Sequence, residues 1–140
     1  MFNPIRTLTQ FSHPDPNAPH HPCTLDLFSR GHIQGRTHIA PAGSVTGIPA
    51  GQPLCHFFGG LPYALPPVGE FRWKKPRPLP ACYSYGTKSS PGVFEKGTKV
   101  CPQPGKVPES WHEEISEDCL QVNVWVPAGE APKGGMYLDP

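Results

Sequence analysis

Long apolar runs are missing from this chain. No stretch approaches the roughly 18 apolar residues of a membrane span, and the opening MFNPIRTLTQFSHPDPNAPHHP lacks the apolar core of a secretory signal. As written, the sequence is expected to stay in the cytosol. An excess of one charge is missing too: twelve Lys and Arg stand against eleven Asp and Glu, a net charge of +1. That balance leaves no electrostatic footprint for nucleic acid or an anionic membrane. The one dense basic run, Arg72, Lys74, Lys75 and Arg77, is broken by Trp73 and Pro76 and reads as a solvated loop. Leu, Ile, Val and Phe are scarce, 29 of 140 residues, just above the roughly one-fifth level below which highly charged chains stay disordered. With net charge this low, self-repulsion gives no reason to unfold, and the expectation is a thin core.

In excess is backbone punctuation. The 21 prolines and 15 glycines make about a quarter of the chain and predict many loops around a few strands. Five cysteines (Cys23, Cys55, Cys82, Cys101, Cys119) are an odd number, so at least one thiol stays free, and no C-x-x-C spacing suggests redox work. The His20-His21 pair with Cys23 fits no closed zinc pattern. No metal and no cofactor are expected.

Residues 1–23 hold five prolines and three histidines, His13, His20 and His21, with no hydrophobic period, and are expected to form a flexible lead-in. TLDLF and HIQGRTH, separated by Ser29-Arg30-Gly31, predict a hairpin with glycine at the turn and Leu25 and Leu27 on one face. After a Gly/Pro/Ala-rich loop, LCHFFGGLPYA predicts a third strand that Gly59 and Gly60 bend or bulge. LPPVGEFRWKKPRPLP is an extended arm, because Pro66, Pro67, Pro76, Pro78 and Pro80 remove ladder donors, with Phe71 and Trp73 as anchors. PESWHEEISED offers a short helix, with Trp111 and Ile115 four apart on one face. LQVNVWVP is the clearest strand: Leu120, Val122, Val124 and Val126 share one face, and Gln121, Asn123 and Trp125 the other.

Three blocks occur in order along the chain: FFGGLPYALPPVGEFRW at 57–73, CPQ at 101–103 and SEDCLQVNVWVPAG at 116–129. Together they resemble the N-terminal part of a type-B carboxylesterase, the ester-hydrolase family that includes cholinesterases and fungal esterases and lipases. The likeness covers roughly residues 24–135. It departs at Gln121, where the family usually has an aromatic residue or threonine, at CYSYGTK (82–88), and in a long loop from Ala40 to Pro53.

The resemblance implies an α/β class: the N-terminal portion of an α/β-hydrolase fold, here mostly short antiparallel strands and Pro/Gly-rich loops. The domain reading is a lead-in at 1–23, a partial esterase domain at 24–135 and a divergent tail at 136–140. By the same resemblance Cys101 and Cys119 form a structural disulfide, and Arg72 pairs with Glu117, a planar guanidinium fork meeting a carboxylate.

Relatives of this type hydrolyse carboxylic esters through an acyl-serine intermediate, which needs a G-x-S-x-G elbow, a histidine base, an acidic partner and an oxyanion hole. Ser29, Ser84 and Ser90 precede glycine by two residues, but the residues two before them are Leu27, Cys82 and Lys88. No oxyanion segment is recognisable either: His56 is separated from Gly59-Gly60 by Phe57 and Phe58. His32, His38, His56 and His112 read as ordinary histidines rather than members of a triad. No catalytic residue is expected in these 140 residues, and PKGGMYLDP is expected to close the chain ahead of the catalytic machinery. An ester substrate is then expected only for full-length relatives, and open strand edges predict self-association. The competing reading is a non-catalytic interaction module from a truncated esterase paralogue, with PPVG and KKPRPLP as polyproline ligands.

Overall fold

The computed structural model describes residues 18–42, 48–104 and 115–129. Five strands, β1 (His20–Asp26), β2 (His32–Ile39), β3 (Pro53–Pro62), β4 (Gly92–Val93) and β5 (Gln121–Pro127), form one sheet of order β1-β2-β3-β5, with β4 against β2. The pairs along this path are antiparallel, and only β4 runs parallel to its neighbour. Of the helix expected at PESWHEEISED, residues 108–114 lie outside the described residues; Ile115, expected on its face with Trp111, instead forms a parallel bridge with Val100.

β1 and β2 make the predicted hairpin, paired from His20↔His38 to Asp26↔His32. Its turn is local chemistry: Asp26 Oδ1 accepts the Phe28 N–H at 2.8 Å, a 3-10 turn spans Phe28–Arg30, and Gly31 closes it at φ 83°, a conformation that glycine adopts without steric cost. The hairpin begins earlier than the residues suggested. His20 to Cys23, expected to belong to the lead-in, are strand residues paired with β2. Every β1 residue except Cys23 is exposed, so the segment carries no buried face from which a period of two could be read.

β3 is the longest strand, and its register slips between Phe58 and Leu61 on both sides of Gly59-Gly60. This is the expected bulge, and it has a structural consequence. β3 pairs with β2 only over Arg36–Ile39, and the gap beyond is filled by β4 and its flanks. Phe94 donates its N–H to Gln34 O (2.7 Å), while Phe94 O accepts the Gly59 N–H (2.9 Å).

Because successive strand residues face opposite sides, Phe57 and Phe58 support separate cores. On one face Phe58 joins Ile33 and Leu61, with Cys23, Leu27, Tyr85 and Phe94 packed around them. Phe58 can lie over β2 because its cross-strand neighbour is Gly35, where any Cβ would collide with the Phe58 ring and the Phe57 carbonyl. On the other face Phe57, fully buried, has its ring centroid 4.3 Å from that of Trp125 and 6.2 Å from that of His38. Full burial of a phenylalanine contributes roughly 1.5–3 kcal/mol, and each aromatic pair adds about 0.5–1.5 kcal/mol.

His38 is the polar member of that second cluster. It is buried, its Nε2 has no hydrogen-bond partner, and it packs against Trp125 of β5, Phe57 of β3 and His20 of β1. Burial, followed by the neighbouring His20 and Arg36, holds its pKa below the ordinary histidine value. The neutral ring is therefore favoured by folding. Its contribution is complete above the unfolded histidine pKa of roughly 6.5 and is lost as pH falls through the lower folded value. Thermal melts from pH 7.5 to 5 are expected to show falling stability below about pH 6.5. In His38→Phe, which keeps an aromatic ring in the cluster, that decline becomes shallower.

Candidate functional site

Leaving β3, the chain runs into the proline arm, which is pinned back on itself. Ala64 bridges Pro78, the Leu65 N–H donates to Arg77 O at 2.9 Å, and the Arg77 guanidinium lies 3.3 Å over the Phe71 ring. A 3-10 turn at Gly69–Phe71 ends at Arg72. There the backbone turns sharply, with Trp73 at φ 61° and its ring 93% exposed.

The same turn presents Arg72 to the entry of β5. Arg72 Nε donates to Glu117 Oε1 at 2.7 Å, with side chains 54% and 35% exposed. Glu117 sits in a turn held at both ends: Ser116 N–H donates to Val100 O (2.9 Å), and Ser116 Oγ accepts the Asp118 N–H (3.1 Å). Two residues on, Cys119 is disulfide-bonded to Cys101. Pro67, Arg72, Trp73, Cys101, Pro102, Glu117 and Cys119 line an open, largely apolar groove of about 150 Å³.

A second set of ties was not recognised in the sequence. Asn123 Oδ1 accepts two backbone N–H groups, from Gly60 in the bulge (3.0 Å) and from Thr98 (3.1 Å). Gln121 Oε1 accepts the Lys99 N–H (3.1 Å), and its Nε2 donates to Asp118 O (3.3 Å). The two amides hold the segment before Cys101 against β5. Two amides spaced two apart in a strand rich in valine were the available signal; the sequence placed them on the face opposite the valines and gave them no partner.

Groups that could have done chemistry are dispersed. His56 Nδ1 is bonded to Thr37 Oγ1 at 2.8 Å, His32 lies 3.7 Å from Asp26, and Ser84 Oγ donates to Gly86 O. Among the described residues no serine hydroxyl is hydrogen-bonded to a histidine ring; His112 lies outside them. His20 and His21 are consecutive in β1 and so project from opposite faces. Cys23, Cys55 and Cys82 are free thiols, and burial pushes the Cys55 pKa up, which favours the unreactive protonated form. No helix among the described residues is long and apolar enough to cross a membrane.

These features coincide with a family. Residues 34–136 match the model of the carboxylesterase family. A carboxylic ester hydrolase of Gibberella moniliformis is 52% identical over 107 residues, covering 76% of this chain and 18% of that protein. An uncharacterized esterase/lipase of Schizosaccharomyces pombe is 35% identical over 119 residues, covering 81% of this chain and 20% of its own length. Among solved structures, a thermophilic PNB esterase aligns over 69% of this chain and 17% of its own, with 29% identity and a TM-score of 0.44. The chain belongs to the carboxylesterase family. It spans about a fifth of the length of these two protein relatives.

The two kinds of tie should differ in strength. The disulfide closes a loop of 18 residues and is expected to contribute about 3 kcal/mol in the chain-entropy model, whereas an ion pair this exposed contributes about 1 kcal/mol or less. Urea titrations of Cys101→Ser/Cys119→Ser are expected to lose several times the stability lost in Arg72→Ala. A double-mutant cycle of Arg72→Ala with Glu117→Gln should give a coupling that shrinks in high salt. Asn123→Leu strands two backbone donors and is expected to cost about 1–2 kcal/mol in the same titration, despite its larger apolar side chain.

Proposed function

We propose that this chain supplies the N-terminal structural segment of a carboxylic-ester hydrolase with an α/β-hydrolase fold, and that the 140 residues hydrolyse no ester by themselves. The observation that carries this reading is the composition of the matched stretch. Its distinctive residues are engaged in holding backbone together: Arg72 with Glu117, Cys101 with Cys119, and Gly59-Gly60 with Asn123 and Phe94. None is arranged as nucleophile, base or oxyanion donor. A serine hydrolase requires all three within mutual reach.

The proline arm supports the same reading over an interaction module. A polyproline ligand must present its ridge and its basic residue to an aromatic groove. Here Arg77 is stacked on Phe71, its backbone carbonyl accepts from Leu65, and Pro80 O accepts from Arg30 Nη1 at 2.7 Å. Those groups are already committed within the fold. Arg72 and Glu117 act in this reading as the tie between arm and β5, and the disulfide as the tie between β5 and the segment before it. The sheet is open beyond β5 among the described residues, and the 140-residue chain self-associates through a strand edge.

Hydrolysis of a short-chain p-nitrophenyl ester by the purified 140-residue chain tests the central claim. Release of nitrophenolate at the buffer rate is expected, unchanged in a Ser84→Ala variant. Saturable turnover above background, lost on treatment with a serine-directed phosphonate, overturns it.

A further inference from the structure

β5 has strand partners on one side only among the described residues, and its backbone phase can be read from the ladder. Ala128 N donates to Leu54 O, and Tyr63 N to Leu120 O, each at 3.1 Å. Together with the pairings Val126↔His56, Val124↔Phe58 and Val122↔Leu61, these bonds direct the backbone groups of Val122, Val124 and Val126 toward β3. The N–H and C=O groups of Asn123 and Trp125 consequently point away from the sheet. At the ends of the strand, the Gln121 N–H is used by Cys119 O and Pro127 has no N–H. Among the described residues, Asn123 and Trp125 therefore present backbone donors and acceptors that no other strand takes up.

We propose that this edge pairs with the β5 of a second copy of the chain, antiparallel, about a two-fold axis through Val124. The inference rests on the self-association proposed above and narrows it to one edge and one register. In that register Asn123 of each copy exchanges both backbone bonds with Trp125 of the other. Val124 meets Val124, and Val122 meets Val126, so the valines of the two copies form one stripe. Val122 and Val124 are 42% and 37% exposed in the single chain, so this pairing removes apolar surface from water as well as satisfying four backbone bonds.

Charge and composition favour a second β5 over other occupants. No residue from Gln121 to Pro127 is charged, so nothing repels an identical strand. A symmetric axis matches every apolar side chain with another. The opposite end of the sheet is different, because β1 carries His20, His21, Pro22 and Asp26, and charged residues and proline are what blunt an edge against pairing. A single added strand pair falls short of the roughly 1,200 Å² that a stable specific complex buries. The association is accordingly weak and depends on concentration.

Sedimentation equilibrium of the 140-residue chain is expected to show a monomer–dimer equilibrium, and Val124→Lys, which sets two ammonium groups against each other on the axis, should hold the chain monomeric. Leu25→Lys, an equally exposed change on β1, should leave the dimer intact. Register is read by cross-linking in a Cys82→Ser background: under mild oxidation Val124→Cys forms a covalent dimer, and Val122→Cys alone does not. The cross-linking arm decides the matter if Val124→Lys fails to fold. A parent chain that is monomeric at all concentrations removes both this inference and the self-association beneath it. A dimer that survives Val124→Lys, or cross-links equally through Val122→Cys, retains self-association but overturns its assignment to β5.

Discussion

Alternation of side chains along β3 is the constraint on which the rest of the structure depends. Phe57 and Phe58 are consecutive and must face opposite sides of the sheet, so one short segment anchors both hydrophobic clusters. Phe58 needs a partner strand with no side chain beneath it, which Gly35 provides. Phe57 needs an aromatic cover, which Trp125 provides from β5. β3 also stands between β2 and β5 in the sheet, so loss of its position would disconnect both ladders. With only six apolar residues among the buried set of the described chain, Ile33, Ala40, Phe57, Phe58, Leu61 and Ala64, little else could substitute for it. Losing a buried phenylalanine ring costs about 3–5 kcal/mol, a large part of the roughly 5–15 kcal/mol that stabilises a typical domain.

The bulge in β3 creates a problem that the surrounding chain solves. Where two glycines lie opposite the single residue Asn123, the ladder loses its regular pairing, and unpaired buried backbone groups are costly. Gly59 finds Phe94 O, and Gly60 finds the side chain of Asn123. Because Asn123 also receives Thr98, the bulge, the segment before Cys101 and β5 are linked through one amide. Cys101 is thereby carried to Cys119, and Glu117, two residues earlier, to Arg72. The arm, the bulge and the start of β5 form a connected set of small ties.

How much of this was legible depends on whether an element leaves a periodic trace. β5 was readable because Val122, Val124 and Val126 alternate with other residues, and the β3 bulge because paired glycines interrupt an aromatic run. β1 was misplaced at its start because its side chains are exposed on both faces. β4, at two residues, is too short for any period and exists because the bulge leaves room beside β2. Arg72 and Glu117 are far apart in sequence, and only resemblance to a family suggested their pairing. Gln121 and Asn123 illustrate a different difficulty. A side-chain amide that bonds to a loop backbone has the same spacing as one that bonds to water, and only the fold distinguishes them.

A recognisable stretch need not be a reactive one. Glu117 and Cys119 look like site residues in the sequence, with acids and a sulfur close together at the entrance to a strand. Their geometry assigns each to a different neighbour: the carboxylate to the arm, the sulfur to Cys101. With both bonds made, the position at which β5 begins is set, and in a strand that also sets which residues fall on each face. A slip of one residue would exchange the valines with Trp125, removing the cover from Phe57, and would carry Asn123 away from Gly60 and Thr98. Each of these groups answers particular partners: the carboxylate the Arg72 guanidinium, the sulfur Cys101, and the Asn123 amide the N–H groups of Gly60 and Thr98. A family's recognisable residues can thus be structural ones, since a fold and the site grafted on it are separate properties.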